Sequence, residues 1–399
     1  MATLLIDNIG ELVTNDPTLG EGRLGMLREA AIVVEDGRVA WAGPATSADR
    51  GTDAVHDCAG RAVIPGFVES HSHLVFAGER AEEFSARMAG KPYQAGGIRS
   101  TLAHTRDADD ATLAANVDRL VAEYARQGTT TVECKSGYGQ SVADELRSLQ
   151  VAAPRTTETT LLAAHVLPPE YADSGTAGAD AYVQLVVDEM VPACAPHARW
   201  IDVFCEQGAF DADQSRAVLQ AGVDHGLGVR VHGNQLNPGP GVQLAVELGA
   251  ASVDHVCHTT AADIEALAGS DTVATLLPGA DFSTRNKYPD ARAMIEAGVT
   301  VAIGADCNPG TSYTTSLPFC LAIAVRDLHL TPDEALWAAT AGGAQALRRS
   351  DVGHLGVGSR ADLSILDADT HLHLAYRPGV PLVETVLSEG RIIAGPVRH

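Results

Sequence analysis

Residues 63–80 read VIPGFVESHSHLVFAGER. The apolar run from Val63 to Val68, interrupted by Pro-Gly, predicts a short buried strand that stops at His71-Ser72-His73. Strand residues two apart point the same way, so both imidazoles can reach one point. Two neutral imidazole nitrogens about 2.0–2.1 Å from a cation are typical metal ligands. Two core or surface histidines that only satisfy hydrogen bonds would give the same pattern, so the rest of the chain must decide.

Length and composition predict a globular enzyme-sized protein. The chain has 399 residues, of which 45% are hydrophobic, which is enough for one large domain and a smaller one. It contains neither an apolar run of the ~18 residues that a membrane span needs nor a secretion signal, so we expect a cytoplasmic protein. The seven cysteines show no Cys-x-x-Cys pairing, which favours reduced, buried thiols.

The net charge restricts the partners. A formal charge of −23 disfavours nucleic acid and anionic membranes, because both are bound chiefly through Lys and Arg. A bound metal and one buried arginine can still attract an anionic small molecule to a local site, since surface charges are screened beyond ~8 Å.

Both chain ends have the pattern of short strands. Near the start, Glu35-Asp36-Gly37-Arg38 separates two apolar runs, and Asp-Gly in that position predicts a hairpin. Apolar runs around Leu363 and Ile392 repeat the pattern near the other end. Neither half is long enough to bury a core alone. We therefore expect residues 1–60 and 355–399 to form one small β-sandwich domain.

Between the ends, short apolar runs alternate with helical patterns, which indicates parallel strands joined by crossover helices. The eight predicted strands are Ala62 to Ser70, Thr130 to Lys135, Thr160 to His165, Ile201 to Glu206, Gly228 to His232, Ser252 to Val256, Val273 to Leu277 and Val299 to Asp306. Eight such units in residues 61–354 predict an α/β fold, a (β/α)8 TIM-like barrel.

Residues able to do chemistry stand at the ends of these strands. They are His71, His73, Glu133, Lys135, His165, Glu206, His232, His255 and Asp306. The active sites of such barrels lie at the carboxyl ends of the strands. The pattern therefore predicts one site built from many strands.

Five motifs carry a resemblance to a known family. They are HSHLVFAGER at His71–Arg80, KSGYG at Lys135–Gly139, HVLPPEY at His165–Tyr171, LPGADF at Leu277–Phe282 and DCNPGT at Asp306–Thr311. With these motifs, the chain resembles the imidazolonepropionases, amidohydrolase-superfamily enzymes of histidine breakdown, over nearly its whole length. The resemblance implies hydrolysis of the ring amide of 4-imidazolone-5-propanoate to N-formimidoyl-L-glutamate, without an organic cofactor.

The resemblance also implies roles around a metal. It makes His71, His73, His232 and Asp306 the ligands of one zinc or iron ion, which such a ligand set cannot tell apart. The ion would activate a water, with Asp306 as the first choice of general base. His255 is the second candidate for the base, and could instead orient the water or stabilise the oxyanion.

A single metal is expected because superfamily members with two metals bridge them through a modified lysine at the end of strand four. Here that strand ends in Phe204-Cys-Glu-Gln207, a stretch without a lysine. Lys135 and Glu206 are not given a catalytic role. They could balance charge around the metal, or they could form a purely structural ion pair.

For the substrate, the resemblance makes Arg80 the ligand of the propionate carboxylate, which a planar guanidinium suits. The other implied substrate contacts are Tyr138, His165, Gln235, Asn308, Gly310 and Thr311. The resemblance also implies a homodimer. Gly233-Asn234 departs from the usual Ala-Asp after the strand-five histidine, which leaves room for a different hydrogen bond near the metal.

Two alternatives were weighed. A deaminase of cyclic amidines would use the same ligands, but such enzymes keep an acidic proton shuttle where Gln235 stands. A non-catalytic relative that uses the barrel for binding or assembly would be expected to have lost ligands, and all four are present.

Overall fold

The computed structural model describes residues 3–90, 96–172 and 174–397. Its strands are β1 (Thr3–Leu12), β2 (Leu27–Glu35), β3 (Arg38–Pro44), β4 (Ala54–Asp57), β5 (Ala62–Pro65), β6 (Phe67–Glu69), β7 (Thr129–Lys135), β8 (Glu158–Ala164), β9 (Trp200–Cys205), β10 (Gly228–Gly233), β11 (Ser252–His255), β12 (Val273–Leu276), β13 (Val301–Ile303), β14 (Leu363–Leu366), β15 (Val383–Ser388) and β16 (Arg391–Ala394).

The α-helices are α1 (Ala81–Met88), α2 (Gly96–Asp107), α3 (Asp110–Arg126), α4 (Val142–Ala152), α5 (Pro169–Ala172), α6 (Gly175–Leu185), α7 (Val191–Cys194), α8 (Ala212–Asp224), α9 (Gly241–Glu247), α10 (Ala261–Ala268), α11 (Pro278–Thr284), α12 (Ala291–Glu296), α13 (Leu317–Asp327), α14 (Pro332–Trp337), α15 (Gly343–Ala346) and α16 (His373–Tyr376). Short 3-10 helices cover Ala45–Ser47 and Ala195–His197, and π-helical turns cover Val186–Met190 and Ala338–Gly342.

Strands β6 to β13 form the predicted parallel barrel. Each pairs with the next in chain order, and every pairing is parallel. Helices between them bury their apolar faces against the strands, as α3 does through Leu113, Val117, Leu120 and Tyr124. The eight-stranded α/β barrel expected from the sequence is therefore confirmed.

The seam between β6 and β13 closes just beyond the strand ends. There the backbone N–H of Asp306 donates to the carbonyl oxygen of His71 (3.1 Å), and the N–H of His73 donates to that of Cys307 (3.0 Å). The carboxylate of Glu69 also accepts from the N–H groups of His71 and Ala305, both at 2.9 Å. Closure of the barrel thus places the first and last strand ends side by side.

The two chain ends pair in a second sheet, as expected. The sheet contains eight strands in the order β16-β15-β14-β5-β1-β2-β3, with β4 beside β1. Asp36 and Gly37 turn between β2 and β3 with φ of 49° and 79°, the left-handed pair that a two-residue hairpin requires. Hydrogen bonds from β14 to β5 join the two ends of the chain.

The first predicted barrel strand differs in one respect, because it is shared by both sheets. Ala62–Pro65 pairs with β1 and β14, whereas Phe67–Glu69 pairs with β7. The chain changes sheets at Gly66, whose N–H donates to the carbonyl oxygen of Asp362 (2.9 Å). A Cβ at Gly66 would collide with Thr130. The Pro-Gly pair is thus the crossing point between the two sheets.

Local signals agree with these elements. Asp211 caps α8 by accepting from the N–H groups of Asp213 and Gln214, and Gln214 returns the bond in a capping box. All seven cysteines are buried free thiols. Among the helices of the described residues, none combines the length and apolar character needed to cross a membrane.

A buried histidine joins the terminal sheet to the barrel. His371 Nδ1 lies 2.7 Å from Glu11 Oε1 on β1, and its Nε2 lies 2.9 Å from Asp333 Oδ1 on α14. Burial alone would lower the pKa of His371, but its hydrogen bonds to the two carboxylates outweigh this and raise the pKa above its ordinary value.

We expect His371→Gln to destabilise the protein in a pH-dependent way. A raised native pKa stabilises the fold below the unfolded pKa of about 6.5, and this contribution is lost as the pH rises through the native pKa. The loss should be about 1–3 kcal/mol at about pH 5.5 and much less at about pH 9. Melting temperatures across this range would measure it, with His373→Gln on the same segment as the control. An equal loss at both pH values would contradict a charged His371.

Candidate active site

A cavity of about 530 Å³ opens at the carboxyl ends of the barrel strands. Four of the side chains expected near a metal face it: His73, His232, His255 and Asp306. Six of the seven expected substrate contacts also line it: Arg80, Tyr138, His165, Gln235, Asn308 and Thr311. Gly310 lies beside the same wall, where its carbonyl oxygen accepts from Arg87 Nη2 (2.9 Å).

Four donor atoms converge at the floor of this cavity. His73 Nε2 lies 3.3 Å from His71 Nε2 and 3.4 Å from His232 Nε2. Asp306 Oδ1 lies 3.6 Å from His71 Nε2 and 3.5 Å from His73 Nε2. In a tetrahedral site with metal–nitrogen distances of about 2.0–2.1 Å, the ligand atoms stand ~3.3–3.4 Å apart. The four atoms could therefore hold one metal ion.

The far sides of two imidazoles explain why their Nε2 atoms are available to a cation. His71 Nδ1 lies 2.7 Å from Asp254 Oδ2, and His232 Nδ1 lies 3.0 Å from Asp202 Oδ1. A carboxylate keeps the proton on the Nδ1 that faces it, so the Nε2 atoms present lone pairs. Two lone pairs that point at one place repel each other unless a proton or a cation lies between them.

Burial keeps the clustered imidazoles neutral. It lowers the pKa of His71, His73 and His255 well below the ordinary value, and neighbouring positive charges lower it further. Neutral imidazole is the form that binds a metal. Burial likewise lowers the pKa of His165 to about 4, so this ring also stays uncharged on the cavity wall.

His255 belongs to the same cluster. One ligand atom each of His71, His232 and His255 lies within 4.8 Å of the others. The backbone of His255 is left-handed, with φ of 77°, at the point where β11 ends. Within the described part of the chain, its Nδ1 is buried without a hydrogen-bond partner. A residue with a strained backbone and an unsatisfied ring nitrogen at a cavity wall is typical of a functional site.

Under the cluster lies a buried network of charges. Lys135 Nζ donates to Glu133 Oε1 (2.9 Å) and to Asp202 Oδ2 (2.8 Å). Arg230 Nη2 donates to Asp254 Oδ2 (3.2 Å). All five side chains are fully buried.

The pKa shifts agree with an ionised network. Burial raises the pKa of the Asp202 and Asp254 carboxyls, but other interactions outweigh it and lower both. His232 and then Lys135 lower the pKa of Asp202, and Arg230 and then Lys135 lower that of Asp254. Burial lowers the pKa of Lys135, and Asp202 and Glu133 more than restore it. The two carboxylates that hold the metal-facing imidazoles are thus themselves held in place by buried cations.

Comparison with known proteins gives the family. A model of the amidohydrolase family matches residues 87–394. An imidazolonepropionase of Mycolicibacterium smegmatis is 69% identical over 98% of this chain and 98% of its own. One of Rhodococcus jostii is 70% identical over 97% of this chain and 94% of its own. The chain belongs to the imidazolonepropionases of the amidohydrolase family.

Solved structures of proteins with much lower sequence identity share the fold. A zinc-bound atrazine chlorohydrolase of Arthrobacter aurescens superimposes with a TM-score of 0.71 at 17% identity, covering 99% of this chain and 96% of its own. A zinc-bound adenosine deaminase of Xanthomonas campestris gives 0.69 at 18% identity, covering 99% and 93%. The family expected from the sequence is confirmed, and the deaminase alternative is not needed.

The loop after β13 is organised by Asn308. Its Nδ2 donates to Asp306 Oδ1 (3.0 Å), and its Oδ1 accepts from the N–H groups of Gly310 and Thr311, both at 2.8 Å. The Thr311 hydroxyl lies 3.3 Å from Asp306 Oδ2. Asn308 and Thr311 therefore orient the Asp306 carboxylate in addition to lining the cavity.

Glu206 has a structural task in this family member. Its carboxylate accepts from the N–H groups of Gln207 (3.1 Å) and Leu236 (3.0 Å). The Gln235 carbonyl oxygen accepts from Asn286 Nδ2 (2.9 Å). These bonds hold Gln235 at the cavity, at the end of the strand next to that of Glu206.

Sequence reasoning missed several residues of the site. Three of them lie inside strands and not at strand ends: Asp202, Arg230 and Asp254. A charge within an apolar run, such as Ile201-Asp202-Val203, was the signal that could have found them. Arg87 also lines the cavity, but nothing in the sequence of α1 distinguishes it from an arginine on the helix surface.

Removing the central cation tests the network. We expect Lys135→Met to destabilise the protein by about 3–5 kcal/mol, because buried carboxylates lose their counter-charge. Metal affinity should fall about 10–100-fold, because the imidazoles lose their fixed partners. Thermal melts and metal analysis would measure the two effects. Lys287→Met, at an exposed lysine, is the matched control. A variant as stable as this control would contradict the network.

Proposed function

We propose that this chain hydrolyses the ring amide C–N bond of 4-imidazolone-5-propanoate to N-formimidoyl-L-glutamate, in histidine catabolism, with one zinc or iron ion per chain. The observation that carries the proposal is the close approach of His71, His73, His232 and Asp306 at the floor of a cavity that Arg80 also lines. Relatives of 69–70% identity over nearly the full length bear the name imidazolonepropionase, which supports the substrate.

The metal ligands in this proposal are His71, His73, His232 and Asp306. Charge balance supports a divalent ion, since among the described residues the neighbouring buried acids outnumber the buried cations Lys135 and Arg230. These acids are Glu69, Glu133, Asp202, Asp254 and Asp306. When bound, the ion would supply Lewis-acid activation of the attacking water and of the ring carbonyl. Histidine and carboxylate ligands suit zinc and iron alike.

The chain's own residues would carry the proton and the substrate. Asp306 takes a proton from the attacking water and returns it to the ring nitrogen as the C–N bond breaks. The oxygen and the other proton of the water remain on the carbonyl carbon, which becomes a carboxylic acid. Neutral His255 faces the reacting carbonyl and stabilises the negative charge on its oxygen, or receives the first proton in place of Asp306.

The remaining contacts orient the substrate. Arg80 binds the propionate carboxylate through parallel N–H donors. Tyr138, His165, Gln235, Asn308, Gly310 and Thr311 surround the ring and the arm. From the sequence we also retain three proposals: a small domain of residues 1–60 and 355–399 beside a barrel domain of residues 61–354, a homodimer, and a cytoplasmic location.

The proposal is tested by metal analysis of the purified protein together with loss of imidazolonepropionate absorbance. We expect one zinc or iron per chain and rapid turnover that ends when a chelator removes the metal. One metal per chain without turnover would overturn the reaction and leave the metal site standing.

Replacing the base tests the role of Asp306. Asp306→Asn should lower kcat by about 10²–10⁴-fold, because an amide cannot accept the proton, and should weaken metal retention. Kinetics at saturating metal would separate the two effects. Asp271→Asn, at an exposed position, controls for the change of charge. Normal turnover by Asp306→Asn would refute this assignment.

Replacing the guanidinium tests the carboxylate site. Arg80→Ala should raise KM by roughly 30-fold or more, because a buried charge-assisted pair is lost, while metal content stays the same. Arg99→Ala, at an exposed arginine of α2, should leave KM unchanged. If Arg80→Ala left KM as it was, the carboxylate would have to bind elsewhere.

A further inference from the structure

Helix α1 brings a second arginine to the cavity. Arg80 stands just before the helix and Arg87 lies in its last turn, and both side chains line the cavity. Each residue is only 8% exposed. The chain carries a net charge of −23, so two nearly buried guanidiniums on one cavity wall are unexpected from composition.

One carboxylate joins the two guanidiniums. Glu83 Oε2 accepts from Arg80 Nε (2.8 Å), and Glu83 Oε1 accepts from Arg80 Nη2 (2.6 Å). The same Oε1 accepts from Arg87 Nη2 at 3.2 Å. The Arg80–Glu83 pair is bidentate, which fixes the plane of the guanidinium as well as its position.

Backbone packs closely around this trio. Arg87 Nη2 also donates to the Gly310 carbonyl oxygen (2.9 Å), on the loop that follows Asp306. A Cβ at Gly310 would collide with Arg80 Nη1, and a Cβ at Gly97 would collide with Glu83 and Arg80. The two glycines therefore give the guanidiniums the space that their bonds to Glu83 require.

We propose that Glu83 is a positioning residue that assembles Arg80 and Arg87 into one site for a single carboxylate. The proposal rests on the proposed function and deepens it, since it names a second specificity-determining cation. The N–H groups of two oriented guanidiniums suit a propionate carboxylate better than an uncharged arm, so the site selects acids over amides and esters.

Glu83 could act by charge or by geometry, and these two effects have opposite signs. If it only weakened the field of the arginines, Glu83→Gln would strengthen anion binding and lower KM. If it orients them, Glu83→Gln would raise KM, because two guanidiniums without their shared acceptor repel each other. Glu83→Asp keeps the charge and shortens the reach, so only the geometric role predicts a higher KM for both variants.

The experiment uses the metal-loaded full chain with imidazolonepropionate as the substrate. We expect Glu83→Gln and Glu83→Asp each to raise KM about tenfold or more, with kcat changed less than threefold and metal content unchanged. Glu82→Gln, which removes the same charge from the exposed face of α1, should behave as the unmodified protein. Turnover by the unmodified protein establishes the reaction first, so failure of the reaction cannot be mistaken for failure of Glu83.

Two results would overturn the proposal: a lower KM in Glu83→Gln, or an unchanged KM in Glu83→Asp. Should either Glu83 variant fail to melt cooperatively, Arg87→Lys tests the same geometry from the other side. It keeps the charge but cannot reach both Glu83 and Gly310, so we expect a raised KM. An unchanged KM in Arg87→Lys would overturn the role of the second arginine.

Discussion

The barrel depends on two backbone hydrogen bonds at its seam, from Asp306 to His71 and from His73 to Cys307. The first and last barrel strands are only three residues long, and these bonds close the sheet two to four residues beyond their ends. Because closure happens at that height, two histidines and a carboxylate arrive at the same point. The cluster of His71, His73 and Asp306 is thus a direct product of how the barrel closes.

Closure alone would not keep this cluster intact, because it costs free energy to bury a carboxylate and to bring several imidazoles together. The opposite faces of the rings are held by Asp202 and Asp254, and these acids are held by Lys135 and Arg230. Ion pairs this deeply buried add little net stability, because desolvation consumes most of the attraction. Their value lies in orientation, since each imidazole can then present only one nitrogen to the cavity.

The sequence predicted the barrel and the clustered residues because parallel strands impose a strict geometry. A histidine at the end of a buried strand has one place to go, so the clustering of His71, His73 and His232 could be predicted without coordinates. Their role as metal ligands came from the family resemblance and stays a prediction. Glu83 and Arg87 could not be found in this way. Their position depends on where α1 lies over the cavity, which is set by tertiary packing and leaves no periodic trace. Asp202 and Asp254 were missed because a charge inside a strand has two possible faces.

The crossing at Gly66 has a consequence for how the protein is made. One continuous stretch belongs to the terminal sheet before this glycine and to the barrel after it, and the part before it pairs with β14, near the far end of the chain. During synthesis, β5 cannot pair with β14, and His71 cannot bond to Asp306, until most of the chain has left the ribosome. Long-range pairings of this kind fold late. A half-made chain therefore carries His71 and His73 without Asp306, and the cluster of these side chains assembles only when synthesis is nearly complete.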